Sequence, residues 1–138
     1  GIPDGGVCSC PIEVYEGRPY QMCDDDEWWV DARDLCEADG YHLVTIDDAK
    51  ENQWVADTAA LYRNHDTWWI GYSDIDVEGT WQWSDGTAPS YDNWNRGEPN
   101  GGTSESCAHL YTNHHVGHAV WNDENCESSK HYVCEFGH

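Results

Sequence analysis

Seven cysteines in a chain of 138 residues constrain the fold more than any other feature of this sequence. In a short chain this density is typical of a disulfide framework formed in an oxidising compartment. Zinc sites favour close pairs such as Cys-x-x-Cys, and the one close pair here is Cys8-Ser9-Cys10. The sequence therefore predicts a disulfide-stapled domain that is secreted or extracellular, with one thiol left over.

The charge of the chain excludes two kinds of partner. The 27 acidic and 6 basic residues give a formal net charge of −21. A field of this sign repels phosphate backbones and anionic membrane surfaces, so we expect no nucleic-acid partner. No run of about 18 apolar residues occurs, so we expect no membrane insertion. The acidity fits either solubility in a salty medium or a need for bound hard cations.

The length fits one domain that spans residues 1–138. We find no repeats, no linker and no second composition regime. Because the chain starts at Gly1 without an initiator Met, we expect a targeting segment to have been removed or left out of this sequence.

The N-terminal part predicts a short strand and then a helix. Residues 1–25 have an irregular pattern, with a strand at 12–15. Apolar residues recur at helical spacing over 27–39. The carboxylates of residues 24–26 are N-cap candidates, and Gly40 suits the C-terminal end of this helix.

A second helix follows after a short strand at 42–46. Asp47 or Asp48 caps it, and it extends to about Leu61. Beyond His65 the helical period disappears.

The second half of the chain predicts long loops followed by strands. Gly, Asp, Asn, Ser and Pro dominate residues 66–106, interrupted by short aromatic clusters. A loop region this long in a compact domain is commonly functional. Residues 107–121 and 131–136 have strand patterns. The chain is thus predicted to be an α+β domain, stapled by disulfides.

Hard oxygen donors of mixed charge are concentrated in the second half of the chain. They are Glu98, Asn100, Glu105, Asn122 and Asp123. Calcium prefers several carboxylate and amide oxygens in a flexible shell of high coordination number. Alone, Glu-Pro-Asn is a polar turn and Trp-Asn-Asp is a strand end. Their joint occurrence predicts a calcium site.

Pro99 bears on the geometry of that site. An X-Pro bond adopts the cis form far more cheaply than other peptide bonds. We expect the Glu98-Pro99 bond to be cis when metal is bound, which directs the two flanking side chains to one side.

At this point the chain resembles a C-type lectin domain over nearly its whole length. The pattern that carries the resemblance is Ala32 through Cys36, His42-Leu43-Val44-Thr45-Ile46, Trp69-Ile70-Gly71-Tyr72, Trp81-Gln82-Trp83-Ser84-Asp85-Gly86, Asn93-Trp94, Gly97-Glu98-Pro99-Asn100, Trp121-Asn122-Asp123, Cys126 and Cys134-Glu135-Phe136. Few other families arrange these pieces in this order.

The resemblance implies a C-type lectin-like fold and a disulfide pairing. The fold has two helices, two small antiparallel sheets and a long calcium-binding loop region. The pairing joins Cys36 to Cys134 and Cys107 to Cys126. In the N-terminal hairpin extension, residues 1–25, Cys23 joins Cys10 or Cys8, with Cys10 favoured. Cys8 is then free or links this chain to another in an oligomer.

The resemblance also implies the function: calcium-dependent binding of glycans. The cofactor Ca²⁺ is held by Glu98, Asn100, Glu105, Asn122 and Asp123, which also hydrogen-bond two vicinal sugar hydroxyls. In this family the Glu-Pro-Asn order goes with equatorial hydroxyls, as in mannose, glucose and N-acetylglucosamine, and with fucose. Gln-Pro-Asp goes with galactose.

Two parts of the site depart from the family pattern. A second, weaker metal site would use Asp74 and Glu78 and share Glu105, but Gly101 and Ser106 stand where members with that site carry acids.

The segment 111–118 is also longer than in mannose-binding members. Its His114 and His118, with Tyr111 and His115, would extend the sugar contact, or the segment is a hydrated loop with incidental histidines. A zinc site from His109, His115 and His118 has no fixed ligand spacing to support it.

Two other functions compete with sugar binding. A protein- or ice-binding module on the same scaffold is the first, since fold does not fix function. The filled set of five ligand positions favours sugar. An enzyme is the second, but neither Gly-x-Ser-x-Gly nor His-Glu-x-x-His occurs, so we expect no catalytic residues.

Overall fold

The structure is a computed structural model that describes residues 10–137. In chain order its elements are β1 (Ile12–Tyr15), β2 (Arg18–Glu27), α1 (Trp29–Ala38), β3 (His42–Leu43), α2 (Ala49–Ala60), β4 (Asp66–Ser73), β5 (Gln82–Trp83), a short 3-10 helix (Gly102–Ser104), β6 (Cys107–Thr112), β7 (Trp121–Glu124) and β8 (Lys130–Glu135). Within the described residues, no helix is both long and apolar enough to span a membrane.

The strands form one mixed sheet in the order β1-β2-β8-β4-β6-β7, with β3 paired to β8 and β5 to β4. The predicted two antiparallel sheets correspond to its two halves, which a parallel pairing of β4 with β8 joins through Trp68↔His131 and Trp69↔Tyr132. The predicted α+β fold with two helices is confirmed, and the parallel pairing makes its two antiparallel halves one continuous mixed sheet.

Both helices form where the apolar spacing predicts them, and their caps differ. Asp48 caps α2, since its side chain accepts a hydrogen bond from the Glu51 N–H at 2.8 Å. The predicted acidic cap of α1 is wrong: the N-cap is Trp28, without a side-chain hydrogen bond, because residues 24–26 belong to β2. Gly40 follows the end of α1 with φ +81°, as predicted.

Several strands differ from their predicted extent. β2 and β4 form within segments predicted to be irregular, and β3 is shorter than the predicted strand at 42–46. The predicted strand 107–121 is two strands, β6 and β7, separated by a loop. β4 was missed because it is buried on both faces at Trp68–Tyr72, so its sequence shows no polar alternation.

Three disulfides hold the layers together, and all three confirm the predicted pairing: Cys10–Cys23, Cys36–Cys134 and Cys107–Cys126. The second bridge ties α1 to β8 across a separation of 98 residues, and the chain-entropy model gives such a loop about 4–5 kcal/mol of stabilisation. Cys8 lies outside the described residues.

An aromatic cluster attaches the long loop 74–106 to the core. Tyr72 at the end of β4 stacks on Trp83 with a 4.3 Å centroid distance. Trp94 packs against Trp81 at 4.8 Å and against Trp121 of β7 at 6.0 Å. These contacts anchor a segment that has little regular structure, and so they fix where its polar side chains lie.

Candidate functional site

The loop carrying Glu-Pro-Asn is hydrogen-bonded to β7, which carries Asn-Asp. The Trp121 N–H donates to the Asn93 carbonyl at 2.9 Å, and the Asn95 N–H donates to the Trp121 carbonyl at 2.7 Å. The Glu98 N–H then closes a turn on the Asn95 carbonyl at 2.9 Å. The Glu98-Pro99 bond is cis. The two predicted motifs are therefore neighbours in space.

Asp123 divides its two carboxylate oxygens between two roles. Its side chain is buried, and Oδ2 accepts hydrogen bonds from the backbone N–H groups of Asn100 at 2.9 Å and Gly101 at 2.7 Å. Its Oδ1 is buried and has no hydrogen-bond partner among the described residues. A buried carboxylate oxygen without a partner is costly unless something binds it.

Glu98 and Asp74 repeat this division. Asp74 Oδ2 accepts from the Gly79 N–H at 2.9 Å, and its Oδ1 has no partner. Glu98 Oε2 receives a long contact of 3.5 Å from Asn100 Nδ2, and its Oε1 is buried without a partner. Every carboxylate oxygen that is buried and unpartnered in the described part of the chain thus belongs to this region.

Burial and neighbouring carboxylates raise the pKa of two glutamates of the site, Glu98 and Glu105. Burial, and then the nearby Asp123 and Glu105 carboxylates, raise the pKa of Glu98 to about 7. Burial also raises the pKa of Glu105, with further contributions from Asp123 and Glu124. These groups lie close enough together to repel one another when ionised, which a bound cation would relieve.

A cavity of about 200 Å³ lies beside these groups. Its lining includes the two residues of the predicted second metal site, together with Glu105 and Asp123; the full set is Asp74, Glu78, Gly79, Trp81, Pro99, Gly102, Glu105 and Asp123. Burial and the Asp74 carboxylate raise the pKa of Glu78. The residues of the predicted second site therefore line the same cavity as Glu105 and Asp123, two of the five predicted principal ligands.

The donor set fits a hard cation. It consists of carboxylate and amide oxygens, without a thiolate or imidazole, which is the preference of calcium. Among residues 10–137, no three His, Cys, Asp or Glu side chains converge as a preformed metal cage. Two of the five predicted ligands are asparagines, so ion binding would have to draw the carboxylates and these amides together.

Asn122 connects the site to the histidine-containing loop. Its side chain hydrogen-bonds to Tyr111, whose pKa is raised by burial. The Tyr111 ring lies 4.7 Å from that of His114, and His114 lies 4.1 Å from His115. Partial burial and the neighbouring His115 lower the pKa of His114. His114 is thus connected to one predicted ligand, Asn122, through the buried Tyr111.

His118, in contrast, is engaged elsewhere. Its Nδ1 accepts from the Asn113 N–H at 2.9 Å, and its Nε2 lies 2.8 Å from Asp57 Oδ1 on α2. These contacts anchor the loop to the helix. His109 is buried and meets the Tyr111 ring edge-to-face, with a centroid distance of 4.8 Å. It does not converge with His115 and His118. The described residues therefore form no zinc site of these three.

Gly101 has a packing role that the sequence did not reveal. A Cβ at this position would lie 2.2 Å from Glu105 Cβ and 2.3 Å from Glu105 Oε1. Glu105 thus occupies the space that any side chain at position 101 would need. The sequence signalled the departure at Gly101, but the steric reason for it appears only in three dimensions.

The fold and the site together define a disulfide-stapled binding domain of the C-type lectin kind. The sequence model of the Lectin C-type domain family matches residues 25–136. The chain belongs to this family. C-type lectin domains are non-enzymatic binding modules and are typically extracellular or secreted.

Relatives of known sequence agree with this assignment. The chain is 34% identical to a perlucin-like protein of Mytilus galloprovincialis over 142 residues, covering 96% of this chain and 89% of that protein. It is 36% identical to the CD209 antigen of Homo sapiens over 131 residues, covering 91% of this chain. The chain spans 30% of the length of that antigen.

Solved structures of proteins with different ligands have the same fold. The cow CD23 carbohydrate-recognition domain, crystallised in the presence of a GlcNAc2Man3 oligosaccharide, superposes with a TM-score of 0.79 at 32% identity and covers 93% of this chain and 96% of that chain. A calcium-independent type II antifreeze protein superposes with a TM-score of 0.79 at 27% identity, covering 94% and 93%.

Proposed function

We propose that this domain binds carbohydrate through a calcium ion held by Glu98, Asn100, Glu105, Asn122 and Asp123. The observation that carries the proposal is the group of buried carboxylate oxygens without partners on Glu98, Asp123 and Asp74. Each of these carboxylates uses its other oxygen to hold its own or a neighbouring loop segment in place. The remaining oxygens are therefore available to an ion, which would have to draw the ligands closer together on binding.

The bound ion would supply a Lewis-acidic centre for two vicinal sugar hydroxyls. The chain's own groups would then recognise those hydroxyls: the carboxylates of Glu98 and Glu105 accept hydrogen bonds, and the amides of Asn100 and Asn122 donate them. This arrangement of donors and acceptors supports mannose-type sugars with equatorial hydroxyls, including glucose, N-acetylglucosamine and fucose. The crystallisation of the CD23 domain with a mannose-containing oligosaccharide also supports this ligand class.

A second, weaker cation site is proposed at Asp74 and Glu78. Asp74 has a buried oxygen without a partner, and Glu105 lines the same cavity. The absence of an acid at Gly101 reduces the number of charged ligands, and calcium affinity falls with ligand charge.

The sugar contact is proposed to extend to His114. Its ring lies 4.7 Å from the ring of Tyr111, which is hydrogen-bonded to Asn122. His118 was also a predicted sugar contact, but its two ring nitrogens are held by Asn113 and Asp57, which favours an anchoring role. The wider proposals of a secreted chain, and of an oligomer linked through Cys8, rest on the sequence.

The alternative is a module that binds protein or ice on the same scaffold. The similarity to a calcium-independent antifreeze protein supports this alternative. A Ca²⁺-dependent type II antifreeze protein also superposes, with a TM-score of 0.80 at 26% identity. The alternative is therefore distinguished by its ligand, a protein or ice in place of a saccharide, and not by calcium dependence alone.

A calcium titration of the Asp123→Asn variant tests the proposal. We expect calcium affinity to fall by roughly 100-fold, because one charged ligand is lost while the size of the side chain is preserved. Asp76→Asn is the matched control, since Asp76 is an exposed residue of the same long loop that does not line the cavity. Equal affinity of the two variants would refute the proposed ligand set.

A further inference from the structure

The chain contains eight asparagines, and Asn100 is the one that precedes a glycine. In an Asn-Gly pair the glycine has no Cβ, so its backbone nitrogen can approach the asparagine side chain with little steric hindrance. Such an intramolecular attack has the large rate advantage of two groups held next to each other. This pair lies inside the proposed calcium site.

Three features of the structure favour reaction at this pair. Asn100 is exposed, and its amide makes one side-chain hydrogen bond among the described residues, at a long 3.5 Å from Glu98 Oε2. The Gly101 N–H, which must lose its proton, donates to Asp123 Oδ2 at 2.7 Å. A carboxylate at this distance is within reach to accept a proton as a base.

We propose that Asn100 is a deamidation site whose conversion changes the ligand-binding chemistry of the domain. The Gly101 nitrogen bonds to Cγ of Asn100, the Cγ–Nδ2 bond breaks, and ammonia departs with the proton relayed through Asp123 Oδ2. Water then opens the cyclic imide at either carbonyl. The product is aspartate or isoaspartate at position 100.

Conversion removes the amide donor and adds a negative charge beside Glu98, Glu105 and Asp123. An aspartate here accepts hydrogen bonds where the asparagine donates them, so a sugar hydroxyl would meet the wrong partner. An isoaspartate also lengthens the backbone by one methylene group and displaces the loop. The site therefore loses its original ligand-binding chemistry over time through deamidation at the Asn100-Gly101 pair.

This inference rests on the proposed function for its calcium dependence. A calcium ion bound to the Asn100 amide oxygen would hold the side chain away from the Gly101 nitrogen. Conversion should then be slower in the calcium-loaded protein than in the calcium-free protein.

The test is an incubation of the intact chain at mildly alkaline pH and physiological temperature, in excess calcium or in EDTA. Peptide mapping by mass spectrometry measures conversion at each asparagine, and the seven others serve as internal references. Asn100→Gln is the negative control for conversion at position 100, since a glutamine side chain forms its cyclic imide with the next backbone nitrogen far more slowly.

In EDTA, we expect conversion at Asn100 to exceed that at every other asparagine by several-fold. Conversion no faster than at the other seven positions would overturn the inference. Several-fold protection by calcium supports both the inference and the ligand role of Asn100. Fast conversion that calcium does not slow leaves the deamidation site standing and counts against the proposed ligand role.

Discussion

At the scale of single residues, the site is defined by how carboxylates share their oxygens. Asp123 holds the Asn100–Gly101 backbone with Oδ2, and Asp74 holds Gly79 with its own Oδ2. Isolated buried carboxylate oxygens destabilise a fold, because desolvation is not compensated by a partner. Their concentration in one small region supports the proposal that a cation binds there.

Calcium affinity should depend on pH in a direction set by Glu98. The pKa of this carboxyl is raised to about 7 by burial and by the neighbouring carboxylates. Because calcium binds the deprotonated form, affinity should rise with pH up to about 7 and level off above it. Near pH 6, calcium binding should release protons. Calorimetry in two buffers of different ionisation enthalpy measures that release. A calcium affinity that does not change between about pH 5 and 8 would contradict the account.

Gly101→Ala should weaken calcium binding without unfolding the domain. The added Cβ would collide with Glu105 Cβ, so Glu105 or the turn at 101–105 must move. We expect a loss of roughly tenfold in calcium affinity, since displaced ligand geometry costs about as much as loss of a supporting contact. Ser90→Ala, an exposed change in the same long loop, is the control. Unchanged affinity of the glycine variant would show that Glu105 is not a ligand.

At the scale of elements, local chemistry predicted the helices well and the strands less well. Periodicity located both helices, and the Asp48 cap is a local hydrogen bond to a residue three positions ahead. β4 depends on neighbours far along the chain, since it lies between β6 and β8. The acidic end of β2 pairs with β8 through a bulge, which strand propensity does not predict.

α2 contributes to the position of the site through one buried asparagine. Asn52 accepts from Trp121 Nε1 at 2.8 Å and donates to the Ala119 carbonyl at 2.8 Å. Asn52→Ala leaves the buried Trp121 Nε1–H without its acceptor, whereas the Ala119 carbonyl still accepts from Asn93 Nδ2 at 2.7 Å. The free energy of unfolding should therefore fall by about 1–3 kcal/mol. Urea denaturation with the disulfides intact measures this change.

The control for that variant lies on the same helix. Gln53 is exposed and hydrogen-bonds to Asp57, so Gln53→Ala should change stability by less than about 0.5 kcal/mol. A stability loss for Asn52→Ala no larger than for Gln53→Ala would remove the proposed link between α2 and β7.

At the scale of the whole molecule, the sequence is enough to propose a ligand set, and it does not predict the contacts that surround that set. The two motifs and Glu105 stand at recognisable distances from Cys107 and Cys126, so the family resemblance identified them. The contact of His118 with Asp57 joins residues 61 positions apart, and the steric fit of Gly101 with Glu105 depends on a turn without regular structure. No local pattern encodes either contact.

The net charge of −21 becomes intelligible at this scale. Part of it lies in the acidic pocket, where a divalent cation would neutralise repulsion among Asp74, Glu78, Glu105 and Asp123. The other acidic residues that the structure describes lie outside this pocket.

The measurement that tests the central claim most directly is calorimetric titration of methyl-mannoside into the protein in calcium, repeated in EDTA and with methyl-galactoside. The account predicts heat of binding with methyl-mannoside in calcium, and none in EDTA or with methyl-galactoside. Binding of methyl-mannoside that persists in EDTA would contradict a metal-bridged site. So would the absence of binding to any saccharide while calcium itself still binds, which would favour a protein or ice ligand instead.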